Sequence, residues 1–183
     1  MKCVIPWSGG PDSTACLEFH LKHTDHEVMT FYMRNTVIDP TAQAVAIRSI
    51  EALRTTLESR YRPFEFIVVD YRHSTDVYFY DHVFPASYFL DHGGGMLCLG
   101  YNKEDADAFD DNPWKLHHAS KERAFAALGV TVIHFNWDKP KAQIRNDLGA
   151  LWSMTTSCIT PEDSGKPCGT CLKCKERQAA EAK

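Results

Sequence analysis

Lys2-Cys3-Val4-Ile5-Pro6-Trp7 is a short apolar run, and Ser8-Gly9-Gly10-Pro11-Asp12-Ser13-Thr14 follows it without a spacer. Together they read as a strand, a tight glycine turn, and a helix that continues through Leu17 and Leu21. Adjacent glycines allow φ > 0 and let the backbone approach a ligand closely. Ser13 and Thr14 open the helix, whose unpaired N–H groups and dipole favour an anion. The arrangement is a phosphate cradle. Its spacing differs from the G-x-x-x-x-G-K-[ST] loop, and no lysine closes it. Glycine and serine also serve ordinary turns, but a six-residue pattern directly behind the first strand is hard to place there by chance.

Further along, residues 27–33 read as a second strand. Asp39 and Pro40 then cap a long helix, with Ala42, Ala46, Ile50, Leu53 and Leu57 at helical spacing. Residues 64–70 are β-branched and aromatic enough for a central strand. Segment 71–91 holds many aromatics and Pro85 without a sustained period, and is expected to be partly irregular and exposed to ligand. A fourth strand over 96–100 precedes a polar stretch. Pro113 then opens a helix with Leu116, Ala119, Ala124 and Leu128 facing inward and Gly129 ending it. A fifth strand covers 130–135, and a short helix 141–148. Strands alternating with helices predict an α/β fold, a parallel sheet with helices on both faces. Ligands of such sheets sit beyond the carboxyl ends of the strands, where the segments at Ser8, Tyr32 and Gly100 converge.

At 183 residues the chain suits one domain, and its net charge of −4 exerts no pull toward nucleic acid or acidic membranes. No apolar run reaches the roughly 20 residues that span a bilayer, and no signal peptide is expected, since the first residues read as a strand. A cytoplasmic location is expected. Of seven cysteines, Cys3, Cys16 and Cys98 sit singly on apolar elements and read as small buried hydrophobes. His20, His23 and His26 read as surface or packing residues.

The other four cysteines follow the pattern Cys158-x9-Cys168-x2-Cys171-x2-Cys174. Four soft thiolates at this spacing suit a closed, structural, tetrahedral zinc site; a redox pair or free thiols are the alternatives. Lys166, Lys173, Lys175 and Arg177 would offset the negative charge of such a centre. The chain thus divides into an α/β domain over 1–150 and a zinc-binding segment over 151–183, packed on the same domain.

Ser8-Gly9-Gly10-Pro11-Asp12-Ser13 resembles the SGGxDS signature of the PP-loop ATP pyrophosphatases. Joined to the four-cysteine tail, it resembles the 7-cyano-7-deazaguanine synthases. Gly100-Tyr101-Asn102-Lys103-Glu104-Asp105 with Phe109-Asp110-Asp111 is similar to that family's G-x-N-x-E-D stretch and the aromatic and aspartate after it. Lys141-Ala142-Gln143-Ile144 is similar to its K-x-E-I helix start, and Thr155-Thr156-Ser157-Cys158 to its T-W-S-C-Y. Two segments depart from the pattern. Phe31-Tyr32-Met33-Arg34-Asn35 keeps only the arginine of Y-G-Q-R-H, and Val83-Phe84-Pro85-Ala86-Ser87-Tyr88 lacks the Arg and Asn of F-V-P-x-R-N.

The resemblance implies a PP-loop, adenine-nucleotide α-hydrolase-like fold and an ATP-dependent reaction. In it, 7-carboxy-7-deazaguanine and ammonia become the nitrile through an adenylated intermediate. Asp12 would hold Mg²⁺ and Lys141 would supply a cation, these being the catalytic pair. Trp7, Ser8, Gly9, Gly10, Pro11, Asp12, Ser13, Thr14 and Arg34 would bind ATP, with backbone N–H groups of Gly9, Gly10, Ser13 and Thr14 on the pyrophosphate. Glu104, Asp105 and Asp111 would bind substrate; Cys158, Cys168, Cys171 and Cys174 would bind zinc. A homodimer is expected, without nucleic acid or membrane. Two alternatives stay open: an adenylating enzyme with an amide product or another amine as acceptor, and a non-catalytic nucleotide- or nucleic-acid-binding zinc module.

Overall fold

The computed structural model describes residues 1–35, 40–71, 77–105 and 114–182. In chain order these form β1 (Lys2–Pro6), α1 (Pro11–His23), β2 (Glu27–Asn35), α2 (Pro40–Arg60), β3 (Glu65–Tyr71) and α3 (Val77–His92). There follow β4 (Gly95–Leu99), α4 (Trp114–Ala127), β5 (Val130–His134), α5 (Lys141–Leu148), a 3₁₀ helix (Gly149–Met154) and α6 (Leu172–Glu181). All strand pairs are parallel, in the order β3-β2-β1-β4-β5.

The central strand shows why this sequence needs two helical layers. Cys3, Val4 and Ile5 are all fully buried, and successive side chains of a strand point to opposite faces. Cys3 and Ile5 join Val28 and Cys98 in a core with α1, α2, α5 and the 3₁₀ helix. Val4 joins Met29, Phe31, Leu97 and Leu99 in a second core, closed by Phe89 of α3 and Phe125 of α4. A helix on one face alone would leave half of β1 in water.

Segment 71–91, expected to be partly irregular, is helical from Val77 onward, with Pro85 inside the helix. Aromatic side chains at four-residue spacing explain this: Phe84 and Tyr88 are 6.4 Å apart by ring centroid, and Tyr88 stacks on His92 at 4.2 Å. Phe89, 1% exposed, anchors the helix to the sheet, and tertiary burial outweighs the cost of an interior proline. On α4, Ala124 is exposed and Phe125 takes the buried position. Asp39, Leu116 and Pro113 carry expectations that lie outside the described residues or side chains.

The tail adds the 3₁₀ helix and α6. The Arg177 guanidinium donates to the carbonyls of Trp152 (2.8 Å) and Thr155 (2.9 Å) and to Thr155 Oγ1 (3.1 Å), and lies 4.6 Å from the Trp152 ring. Lysine lacks the planar fork for these partners. Arg177→Lys is expected to lower stability by about 2 kcal/mol in urea denaturation.

Candidate active site

In the order β3-β2-β1-β4-β5 the chain leaves β1 toward β2 and later returns to place β4 on the other side of β1. The carboxyl ends of β1 and β4 therefore flank the switch point of the sheet, where open α/β sheets leave a crevice. The Ser8–Ser13 loop leaves β1 there, and Gly100–Asp105 leaves β4. The two meet without a gap: a Cβ on Gly100 would lie 2.7 Å from the backbone N and Cα of Ser13. Gly100→Ala must push the first turn of α1 away from β4. It is expected to cost about 1–3 kcal/mol of stability, read by urea denaturation.

Within the loop, Gly9 has φ +73°, and its carbonyl accepts the Thr156 N–H at 3.0 Å. Gly10 N–H donates to Ser8 Oγ (3.3 Å), and Ser8 N–H to Ser13 Oγ (3.4 Å). Pro11 sits at the first helical position, where its missing N–H removes no helical bond.

Thr14 stands behind the loop, and Trp7, although nearly fully buried, reaches the wall of the larger of two cavities at this end of the sheet. Trp7 is 1% exposed, and its Nε1–H donates to Thr14 Oγ1 at 3.0 Å. The Thr14 N–H donates to the Gly10 carbonyl at 3.0 Å, the first bond of the helix. Of the N–H groups expected to meet phosphate, those of Thr14 and Gly10 are thus engaged within the loop itself. The first-turn N–H groups of Asp12 and Ser13 have no helical carbonyl to reach. Arg34, expected at the nucleotide, instead forms an exposed fork with Asp70 (2.5 and 2.6 Å). Through that fork it lowers the Asp70 carboxyl below its usual range.

Asp12 is the hub. Its Oδ1 accepts from Asn102 Nδ2 (3.1 Å), its Oδ2 pairs with Lys141 Nζ, and its carbonyl accepts from Asn136 Nδ2 (2.9 Å). Lys141, only 3% exposed, lies 3.8 Å from Glu176 Oε2. Glu176 also accepts from Lys173 Nζ at 3.0 Å, and Lys173 donates to Asp105 Oδ1 at 3.0 Å. The Asn102 N–H donates to Asp105 Oδ2 at 3.3 Å. The circuit Asp12–Lys141–Glu176–Lys173–Asp105–Asn102 is closed. Burial pulls the Lys173 ammonium toward a lower pKa, but Asp105 and Glu176 outweigh it and raise the pKa above its usual value. Asn102 and Glu176 were not among the site residues expected from sequence, and Lys173 was expected beside the cysteines rather than in this circuit. Only the GxNxED pattern hinted at Asn102.

Glu104, expected to bind substrate, accepts the Lys141 N–H with both oxygens at 3.2 Å. It caps α5 and so aims Lys141. Asp111 lies outside the described residues. The hub opens on two adjoining cavities, of about 380 and 520 Å³. Ser8, Gly10, Asp12, Tyr32, Met33 and Lys173 line both. Ala42 and Ala46 of α2, Lys141 and Ser157 also line the first. Ser157 Oγ is buried without a partner among the described residues. Phe84 and Tyr88 of the divergent segment pack into the second core and line neither cavity.

Beside the first cavity, the sulfurs of Cys158, Cys168, Cys171 and Cys174 all lie within 4.8 Å of one another. Tetrahedral zinc with Zn–S near 2.3 Å sets its sulfurs roughly 3.8 Å apart, and Cys158 and Cys168 are at 3.6 Å, so the donor set fits one metal ion. Lys173 and Arg177, expected to offset its charge, are turned to Asp105 and to Thr155. Hydrogen bonds to sulfur take that role: Thr160 Oγ1 (3.5 Å), Cys171 N–H (3.4 Å) and Thr170 Oγ1 (3.7 Å) point at Cys168 Sγ. Led by the Thr160 hydroxyl, they pull the Cys168 thiol down to about 5.

A parallel α/β domain with a glycine loop, an Asp–Lys hub and a cavity at its switch point defines a PP-loop fold. The chain belongs to the family described as "Queuosine biosynthesis protein QueC", whose sequence profile matches residues 77–183. Among relatives, the 7-cyano-7-deazaguanine synthase of Pyrococcus horikoshii is 25% identical over 227 aligned positions, covering 95% of this chain and 90% of the relative. The synthase of Desulforudis audaxviator is 33% identical over 93 positions, 48% of this chain and 41% of the relative. A solved structure, the U34-tRNA thiolase NcsA from Methanococcus maripaludis with its [4Fe-4S] cluster, superposes with a TM-score of 0.61 at 12% identity. This chain is covered in full and spans 65% of that one, a likeness of fold. Among the described residues no helix is long and apolar enough to cross a membrane.

Proposed function

We propose that the protein is an ATP-dependent synthase that converts 7-carboxy-7-deazaguanine and ammonia to 7-cyano-7-deazaguanine. The observation that carries this reading is the hub: a buried lysine and an aspartate held together at the N-terminus of the glycine-loop helix, beside a cavity sized for a small ligand. The adenosine would lie along Tyr32, Met33, Ala42 and Ala46, with the polyphosphate toward Ser8 and the first turn of α1. A carboxylate oxygen of the substrate attacks the α-phosphorus, and pyrophosphate leaves. Ammonia attacks the acyl carbon and AMP departs, giving the amide. A second ATP adenylates the amide oxygen, and loss of AMP and a proton leaves the nitrile.

The protein's part is positioning and charge compensation rather than acid–base catalysis. Lys141 presents its ammonium at the loop, Glu104 aims it, and the Asp12 and Ser13 N–H groups face the phosphates. Three carboxylates against two ammonium groups leave the circuit one negative charge in excess, so a polyphosphate needs an added cation. Asp12 and Asp105 retain lone pairs for Mg²⁺, which would neutralise phosphate charge. The four-cysteine cluster would hold zinc in a structural role, since its sulfurs lie closer together than a four-iron cluster would set them. A homodimer is expected on light scattering.

The test is incubation of the protein with Mg-ATP, ammonia and 7-carboxy-7-deazaguanine, followed by mass spectrometry. Nitrile with two AMP per product is the expected result. Amide alone would place this chain with enzymes that stop after one activation. Absence of both products with ATP bound would overturn the proposed substrate.

A further inference from the structure

The first core contains a second group of soft ligands, on elements distant in sequence. Cys3 lies on β1, Cys98 on β4 and His20 on α1. The two sulfurs are 3.5 Å apart, and with a ring nitrogen of His20 the three ligand atoms all lie within 4.8 Å of one another. Both cysteines are fully buried and His20 is 4% exposed. Small apolar packing accounts for the cysteines; it does not account for the histidine. Neither ring nitrogen of His20 makes a well-formed hydrogen bond among the described residues, the Cys3 thiol being its polar neighbour. A neutral imidazole carries one donor and one acceptor, and a core seldom leaves both unused. Phe19, His26 and Phe135 contact its ring as aromatic neighbours.

We propose that Cys3, Cys98 and His20 form a second metal site, for a soft d¹⁰ ion. Thiolate and imidazole together select Zn²⁺ or Cu⁺ over Mg²⁺ or Ca²⁺. With Zn²⁺, two thiolates and a neutral imidazole give a net charge of zero, which a dry core accepts far better than an unpaired ion. With Cu⁺, three ligands complete a coordination that d¹⁰ copper readily adopts. Each thiol gives up a proton as the metal enters, so loading accompanies folding. The bound ion would join the two strands that flank the switch point to the helix that carries the glycine loop. It would hold the loop's foundation, away from the reacting atoms.

The test is metal content after refolding. Full-length chain, denatured and stripped of metal, is refolded with excess Zn²⁺ or with buffered Cu⁺. After gel filtration, metal per chain is read by elemental analysis. Wild type is expected to retain two ions, one in the tail and one in the core. The double variant Cys168→Ser/Cys171→Ser is expected to keep one, and Cys98→Ala to keep one. His20→Phe fills the same space with an apolar ring and so guards against a simple folding failure; it too should keep one. Which ion occupies the core separates zinc from copper. One ion in wild type, or two in His20→Phe, would overturn the proposal.

Discussion

Lys141→Met is expected to lower ATP-dependent pyrophosphate release by about 10²–10³-fold, the loss typical of removing one preorganised charge from a reaction centre. Methionine keeps the stem and the packing of α5. What disappears is the ammonium that pairs with Asp12 and approaches Glu176. Lys141 is 3% exposed and its partners are under one-fifth exposed, so two carboxylates would face each other with little water between them. Breaking such a pair costs about 3 kcal/mol. The same change should therefore shift the denaturation midpoint downward. Pyrophosphate release and urea unfolding, measured on one preparation, check both. Full activity in Lys141→Met would remove the hub from the mechanism.

Loss of the metal proposed for the tail is expected to have an effect of similar size through a different route. Cys171 is the N-cap of α6, and Cys174 lies in its first turn. That helix carries Lys173 and Glu176 to Asp105 and Lys141. Structural zinc contributes roughly 10 kcal/mol to the folding of small cysteine sites, more than α6, 10 residues long, can recover from its own hydrogen bonds. Cys171→Ser, or prolonged chelation, should therefore unwind α6 and open the charge circuit. Rapid proteolysis between the 3₁₀ helix and the C-terminus is expected, with at least tenfold weaker ATP binding, while the sheet persists by circular dichroism. Unchanged ATP affinity in the metal-free protein would show that the tail does not support the loop.

The strand–glycine loop–helix start, the alternation of strands and helices, the four-cysteine spacing and the helix at Lys141 were legible in the sequence. Each is local: neighbouring residues decide the turn chemistry, the periodicity and the ligand spacing. Segment 71–91 was misread for the same reason. Its helix draws on burial of Phe89 against the sheet and on a stacked aromatic row, whereas local propensity counts Pro85 against it. Tertiary structure alone decided what each functional side chain meets. Lys141 and Asp12 are 129 positions apart, and no periodicity relates them. The same is true of Lys173 with Asp105, and of His20 with Cys98. These meetings follow from a strand order that sets the ends of β1 and β4 side by side and from a tail that folds back over them. Charge pairing and ligand binding depend on distance in space, and the sheet, not the spacing along the chain, sets that distance.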